Sequence, residues 1–263
     1  MTIKVGVFGA AGRMGSTVCD AVLKDPGTEL VAAVDPHHEG LDVKTVTGVD
    51  VPGLVLGGSC ESMAGAGVEV VVDFTEADAA RENLRWCAAN GIHAVVGTTG
   101  LTDADYDELR ASFTSSNCVV APNFAIGAVL MMRLAEIAAP FFESVEVIEL
   151  HHENKVDAPS GTAMLTVARI AAASSEWTPD PTTREILQGA RGGKGPGDIP
   201  VHSLRVKGLV AHQEVLFGTT GQTLTIRHDS LDRSSFMPGV LLAVKRVADR
   251  PGLTVGLDAL LDL

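Results

Sequence analysis

The sequence predicts an α/β protein in which a doubly wound parallel sheet is followed by an α+β domain with a mixed or antiparallel sheet. Short apolar strands alternate with amphipathic helices as far as Ala121, as expected when parallel strands are joined by helical crossovers. After Phe124 a helix is followed by several strands that look antiparallel. We therefore predict a Rossmann-like domain from residues 1–123 and 229–263, and a second domain from residues 124–228. A last amphipathic helix, over 236–249, would return to the first domain.

The first domain opens with a strand, a glycine loop and a helix. Ile3–Phe8 is β-branched and apolar, GAAGRMG follows it over residues 9–15, and STVCDAVLKD has helical periodicity. Glycines at this point let the backbone approach a pyrophosphate, which would lie at the helix N-terminus. The spacing G-x-x-G-x-x-G departs from the usual dinucleotide fingerprint, and glycine loops also occur as plain tight turns.

An acidic residue strengthens this interpretation. Asp35 ends a second apolar strand, over 30–35, twenty residues after Gly15. A carboxylate there can accept hydrogen bonds from both ribose hydroxyls of an adenosine. A 2′-phosphate would instead prefer Arg or Lys, so Pro36 favours NADH, whereas Arg13 or a protonated His37 or His38 would suit NADPH. The cofactor is thus expected to be NADH or NADPH.

The remaining elements follow the same periodicity. We predict strands over 68–75, 92–96 and 118–121, helices over 77–90 and 103–115, and a polar GTTG loop over 97–100. Residues 39–67 are Gly-rich and are expected to cover a sheet edge. The second domain should contain a helix over 126–142 and strands over 145–150, 201–206, 212–218 and 223–228. Residues 189–200 hold five glycines and two prolines, which indicates a mobile loop that is either a linker or a substrate lid.

Composition excludes several classes of protein. The chain has 263 residues, 46% of them hydrophobic, and its formal net charge of -13 argues against binding nucleic acid. A small dianion remains a possible ligand, because a local cluster of cations can reverse the field. The four cysteines match no zinc or CxxC pattern and indicate reduced thiols. No run of about 18 apolar residues and no signal peptide is present, so we expect a cytoplasmic protein without a membrane contact.

The run ELHHENKVDAPSGTA, over 149–163, is the most informative stretch. A period-two strand delivers His151 and His152 to its end, and Lys155 follows. Ser160 or Thr162 would cap the next helix, whose unpaired N–H groups suit a carboxylate or phosphate. Either histidine alone, or the cap, has an ordinary structural explanation. Adjacent strand residues point to opposite faces, so we predict no metal site.

These motifs resemble a known family. GAAGRMG, VVDFT, GTTG, APNFAIG and ELHHENKVDAPSGTA occur in this order over almost the whole chain, as in bacterial dihydrodipicolinate reductases. GARG, HQEVLFG and the RHDSLDRSSFMPGV tail are similar to actinobacterial members. The resemblance implies NAD(P)H-dependent reduction of 4-hydroxy-tetrahydrodipicolinate to tetrahydrodipicolinate, in lysine and diaminopimelate biosynthesis. It also implies a homotetramer built through the second domain.

The resemblance further implies roles for individual residues. His151 is the expected proton donor, Lys155 a second catalytic or substrate-binding cation, and His152 a ligand of a substrate carboxylate. Ser160, Gly161 and Thr162 would hold the other carboxylate of this small dicarboxylate substrate. Cofactor contacts are expected from Gly9, Ala10, Ala11, Gly12, Arg13, Met14, Asp35, Gly97, Thr98, Thr99, Ala121, Pro122, Asn123 and Phe124. Pro36 departs from members that carry an NADPH-binding Arg there.

Three other functions compete with this hypothesis. An aspartate-semialdehyde or homoserine dehydrogenase would share the glycine loop but does not require the His-His-x-x-Lys run. A nicotinamide-sensing regulator would bind the cofactor without turnover. A metal-dependent hydrolase would be sensitive to chelators.

Overall fold

The computed structural model describes residues 2–262, which form two compact units. The first unit contains residues up to Phe124 and from Arg233 onward, and the second contains Ala125–Asp232. No helix within residues 2–262 is both long and apolar enough to cross a membrane.

The first unit is built on a six-stranded parallel sheet with the order β11-β5-β4-β3-β1-β2. Its strands are β1 (Ile3–Phe8), β2 (Thr28–Val34), β3 (Val70–Asp73), β4 (His93–Val96), β5 (Cys118–Val120) and β11 (Leu253–Val255). Its helices are α1 (Arg13–Lys24), α2 (Val43–Thr47), α3 (Ala77–Ala89), α4 (Asp103–Ser112) and α7 (Met237–Arg246). The predicted Rossmann-like architecture is confirmed.

The sheet core is apolar on both faces, as parallel sheets require. The side chains of Phe8, Val71, Val96 and Val120 are almost fully buried. The last helix, α7, packs on α1 as well as on β3 and β4, so the return to the first unit is confirmed. Its helical hydrogen bonding spans ten residues and is flanked by 3-10 turns, which makes it shorter than predicted.

Residues 39–67 cover the β2 edge, as predicted. The Asp35 N–H donates to the Gly57 carbonyl at 2.9 Å, and the Gly57 N–H donates to the Ala33 carbonyl at 2.9 Å. These bonds satisfy backbone groups that an open edge would leave unpaired. Within this segment the short helix α2 begins after Asp42, whose side chain accepts from the Thr45 N–H.

The strand at the opposite edge of this sheet, β11, is not among the strands predicted from the sequence. β11 has only three residues and pairs in parallel with β5. Three residues are too few to show a period of two, and Pro251-Gly252 before them reads as a turn.

The second unit is built on a five-stranded mixed sheet with the order β10-β9-β6-β8-β7. Its strands are β6 (Ser144–His151), β7 (Gly193–Lys194), β8 (Pro200–Arg205), β9 (Ala211–Thr219) and β10 (Gln222–Ser230). The other neighbours pair antiparallel, whereas β8 runs parallel to β6. The sheet is therefore mixed, in agreement with the predicted mixed or antiparallel sheet, and 201–206 runs parallel to β6 because the connection through α6 (Gly161–Ala173) is a crossover.

Helix α5 (Ile126–Ala138) and α6 cover one face of this sheet. Val145, Val147, Val167, Ile170 and Phe217 form the core between them. The predicted helix over 126–142 is shorter in the structure, because Pro140 lies in a 3-10 turn over Ala139–Phe141 and has no N–H to donate.

Residues 189–200 contain local structure. They include β7 and a 3-10 turn, Pro196–Asp198. Arg191 anchors the segment, since its guanidinium donates to Glu146 at 2.5 Å and to Asp180 at 3.2 Å. The two predicted roles of this segment, a linker or a substrate lid, both stay predictions.

Candidate active site

The glycine loop of the first unit lies at the carboxyl end of β1. Gly9 has a φ of 65°, a left-handed conformation that favours glycine. The Gly12 N–H closes the turn onto the Gly9 carbonyl at 2.9 Å, and the Ala10 N–H reaches the Val34 carbonyl at 3.0 Å. The loop is thereby fixed to both β1 and β2.

The third glycine, Gly15, is required by packing. A Cβ placed there would lie 2.0 Å from the Gly9 carbonyl oxygen and 2.9 Å from the Ala10 Cα. Helix α1 begins at Arg13 without a side-chain cap on Gly12 and without an acidic residue in its first turn. Its first N–H groups are thus available to an anion such as a phosphate.

Asp35 lies beside this loop at the end of β2. Its Oδ2 accepts from the Ala11 N–H at 3.2 Å, and its Oδ1 accepts from the His37 N–H at 3.2 Å and contacts His38 Nδ1 at 2.9 Å. The side chain is held in one orientation and is largely buried. These contacts leave acceptor capacity on Oδ2, at the strand end where an acidic residue binds the adenosine ribose in this fold.

A second buried carboxylate, Asp73, organises the next loops. Its Oδ1 accepts from the Thr75 hydroxyl at 2.6 Å and the Thr98 hydroxyl at 3.1 Å, and its Oδ2 accepts from Asn83 at 2.8 Å. These bonds tie the end of β3 to the GTTG loop after β4. Asp73 was not identified as a site residue, although its position at the end of VVVD was a usable signal.

The aromatic pair Phe74 and Phe124 lies at the same sheet edge, with ring centroids 5.6 Å apart. A Cβ on Gly97 would lie 2.0 Å from the Phe74 ring, so only glycine fits there. All predicted cofactor residues therefore follow the carboxyl ends of β1, β2, β4 and β5, where ligands bind in open α/β sheets. The glycine contacts, the uncapped helix and Asp35 together fit a dinucleotide.

The predicted catalytic residues lie in the second unit, at the carboxyl end of β6. Along β6 the core-facing side chains are Val145, Val147, Glu149 and then His151, so the face changes from apolar to polar. Glu149 is fully buried, and its Oε2 forms a very short hydrogen bond with His151 Nδ1.

Arg205 completes this group from β8, whose register places it opposite His151. It donates to Glu149 Oε1 at 2.8 Å and to Glu149 Oε2 at 3.0 Å. It also donates to three carbonyl oxygens, those of Lys155 at 3.3 Å, Leu204 at 2.7 Å and Asp157 at 2.6 Å. A guanidinium has five N–H donors, so Arg205 is saturated and clamps the loop that carries Lys155.

The charges of this group set its protonation. Burial lowers the pKa of His151, the carboxylate of Glu149 opposes that effect, and Lys155 and Arg205 reinforce it. Burial raises the pKa of Glu149, but hydrogen bonds from Arg205, Ser203 and His151 outweigh this and lower it. Glu149 is therefore ionised near neutral pH.

The other cation is held close by. Lys155 Nζ donates to both oxygens of Asp157, at 2.7 and 2.9 Å, and this ion pair lowers the pKa of Asp157. The Lys155 N–H donates to the His152 carbonyl at 3.2 Å, which closes a turn. The His152 side chain is exposed.

Helix α6 begins directly after the same loop. Ser160, rather than Thr162, is its N-cap, and the Ser160 hydroxyl accepts from the Ala163 N–H at 3.2 Å. Gly161 is exposed, and a Cβ added there would meet nothing within 4 Å. Positive helix-dipole charge and N–H groups are thus available to a carboxylate.

Glu149 and Arg205, the two residues that hold His151 in place, were not identified from the sequence. Glu149 lies two residues before His151 on a strand, so the period of two already placed both on one face. Arg205 offered no such signal, because only the pairing of β6 with β8 brings it near. Within residues 2–262 no group of three His, Cys, Asp or Glu side chains is arranged to hold a metal ion.

Comparisons with known proteins cover nearly the whole chain. Residues 3–124 match the family model described as dihydrodipicolinate reductase, N-terminus, and residues 127–261 match its C-terminus. A protein of Nocardia farcinica named 4-hydroxy-tetrahydrodipicolinate reductase is 54% identical over 270 residues, covering 100% of both chains. One of Cutibacterium acnes with the same name is 54% identical and covers 99% of both.

Solved structures agree with these matches. A dipicolinate-bound dihydrodipicolinate reductase from Paenisporosarcina sp. TG-14 is 39% identical, with a TM-score of 0.86 and coverage of 98% of this chain and 99% of that one. An amine dehydrogenase from Mycobacterium smegmatis is 17% identical, with a TM-score of 0.69 and coverage of 98% and 96%, a likeness of fold alone.

Proposed function

The chain belongs to the dihydrodipicolinate reductase family, and on that premise we propose that it reduces 4-hydroxy-tetrahydrodipicolinate to tetrahydrodipicolinate. This reaction is a step of lysine and diaminopimelate biosynthesis. The reductant is a nicotinamide nucleotide bound by the first unit, and the small dicarboxylate binds the second unit. The four cysteines are free thiols, which supports a reducing cytoplasm.

The observation that carries this proposal is the group at the end of β6. His151 is held by Glu149, Lys155 lies on the loop clamped by Arg205, and α6 begins just after that loop. Such a group offers the Lys155 ammonium group, the N–H groups at the start of α6 and one titratable imidazole to a dianion. Neither a plain helix cap nor a metal site needs this combination.

The chemistry divides between the cofactor and the protein. The substrate hydroxyl leaves as water to give dihydrodipicolinate, and the reduced nicotinamide, when bound, would supply the hydride to one carbon of that ring. His151 gives a proton to the neighbouring carbon, since imidazole titrates near neutral pH. Lys155 and His152 neutralise carboxylate charge, and the N–H groups at Gly161 and Thr162 hold one carboxylate, with Ser160 fixing the helix start.

We assign the cofactor site to the residues around the glycine loop. The backbone from Gly9 to Met14 lines the pyrophosphate site, where the N–H groups at the start of α1 approach the phosphate, and Asp35 accepts from the ribose hydroxyls. The loops containing Gly97, Thr98 and Thr99, and Ala121 to Phe124, contact the nicotinamide half. A 2′-phosphate would place its negative charge against Asp35, so NADH is the preferred cofactor.

The deciding experiment follows the loss of reduced-nicotinamide absorbance with freshly made 4-hydroxy-tetrahydrodipicolinate. We expect rapid oxidation of NADH, with kcat/KM for NADPH lower by about tenfold or more, since a carboxylate repels a 2′-phosphate. Equal or better use of NADPH would overturn the cofactor assignment. No oxidation of either cofactor by folded protein that binds NADH would overturn the reaction, and semialdehyde and homoserine substrates then test the rival dehydrogenases.

We also propose that the protein is a homotetramer assembled through the second unit. Leu204 and Leu216 are exposed, and their strand positions place them on the sheet face opposite to α5 and α6. Apolar side chains on an uncovered sheet face favour contact with another copy. Sedimentation velocity should give the mass of four chains, and Leu216→Arg should reduce it. A single-chain mass for the wild-type protein at micromolar concentration would contradict the proposal.

A further inference from the structure

We propose that Glu149 is a positioning residue for His151, holding the imidazole with its proton on Nδ1 so that Nε2 serves the substrate. This inference rests on the proposed function, since it concerns the proton donor of that reaction. Glu149 itself is fully buried and acts only through His151.

The hydrogen-bond pattern fixes which ring nitrogen carries the proton. Glu149 Oε2 contacts His151 Nδ1, and an ionised carboxylate can only accept. Nδ1 must therefore donate, which leaves Nε2 as the nitrogen that gains and loses a proton. The two side chains are two residues apart on β6, so the strand itself sets their alignment.

Arg205 keeps the Glu149 carboxylate ionised, which it must be to accept a hydrogen bond from His151. Its two terminal nitrogens donate to the two carboxylate oxygens, and Ser203 donates as well. A buried carboxylate without such donors would take up a proton and could then donate to the imidazole. The bidentate pair prevents this, so the carboxylate remains an acceptor for His151.

The same carboxylate sets the charge that His151 faces. Glu149 on β6 favours the imidazolium, whereas Arg205 on β8 and Lys155 on the loop oppose it. Without Glu149 the imidazole would face two cations and no anion in the free enzyme. It would then lose its proton at lower pH, and the reaction would lose its acid.

The test compares Glu149→Gln with a matched control, Glu146→Gln. Glu146 lies on the same strand and also pairs with an arginine and a histidine, Arg191 and His202, but it does not contact His151. We expect E149Q to lower kcat about 10²-fold or more at pH 8, with KM for the dicarboxylate changed by less than about threefold. E146Q should retain wild-type kcat.

The pH profile separates positioning from a general loss of structure. The rate needs protonated His151, so it falls as pH rises through the His151 pKa in the enzyme–substrate complex. Removing Glu149 lowers that pKa, and the fall in kcat should therefore move to lower pH by about one unit. Lowering the pH should partly restore E149Q. A wild-type kcat and an unshifted profile in E149Q would overturn the inference.

The imidazole ¹⁵N spectrum of the wild-type chain tests the tautomer without turnover. The His151 signals are identified by their absence from the spectrum of His151→Ala. In the neutral imidazole, they should show a protonated Nδ1 and an unprotonated Nε2. The opposite tautomer would refute the role of Glu149, even if E149Q failed to fold. If the wild-type protein reduced no substrate, the proposed function would fail, whereas the spectrum would still decide whether Glu149 positions His151.

Discussion

Replacement of His151 with alanine is expected to lower kcat about 10²-fold or more, because a positioned acid contributes that much to a proton transfer. NADH binding should remain near normal, since the glycine loop and Asp35 belong to the first unit.

Lys155→Ala should lower turnover by a similar factor and also raise KM, because the ammonium group of Lys155 neutralises a carboxylate that is present in substrate and product alike.

His202→Ala is the matched control for His151→Ala. His202 contacts a carboxylate in the same way, with Nε2 at 2.8 Å from Glu146, but it lies on β8 opposite Ile148, and that carboxylate is not the one that holds His151. Steady-state kinetics with saturating NADH, together with NADH titration followed by fluorescence, measures both effects. Wild-type turnover in His151→Ala and Lys155→Ala would contradict the assigned roles.

Gly15→Ala is expected to disrupt the cofactor site by adding a single methyl group. That methyl would lie 2.0 Å from the Gly9 carbonyl oxygen, so the loop or α1 must move. A displacement of about 1 Å can cost on the order of 10²-fold in function, and we expect NADH affinity to fall by that order. Overpacking at this buried point should also lower the free energy of unfolding by about 1–3 kcal/mol.

Gly193→Ala provides the comparison, since its added methyl would meet only the Val201 carbonyl oxygen, at 3.9 Å. Calorimetric titration with NADH and urea unfolding of both variants measure the two effects. Unchanged NADH affinity in a folded Gly15→Ala protein would show that the close contact at this glycine has no part in cofactor binding.

Much of the fold could be predicted because long periodic segments fix it. β1, β6 and α1 lie within two or three residues of their expected bounds, since apolar periodicity over six or more residues is unambiguous. β11 and the shortened α5 were mispredicted for local reasons, namely a three-residue strand and Pro140. The direction of β8 depended on strand pairing, which no local pattern encodes.

The candidate site divides in the same way. Gly9, Asp35, His151 and Lys155 stand out because they belong to spaced motifs, namely the glycine loop followed by an acid and the His-His-x-x-Lys run. Glu149 could have been predicted, because the period of two places it on the same face of the strand as His151. Arg205 could not, because its role arises from a register between strands that are distant in sequence.

The origin of Arg205 on β8 has a consequence for how this chain becomes active during synthesis. Glu149 and Arg205 are separated by 56 residues, so the segment that contains α6 and β7 must be synthesised before the pair can form. A growing chain that has been synthesised only as far as β6 therefore has the Glu149 carboxylate without the Arg205 guanidinium. An unpaired carboxylate is much less stable in a buried position than the ion pair. Competence for catalysis thus arrives late, with the parallel pairing of β8, and it should be gained together with long-range structure rather than with the local fold of the histidine loop.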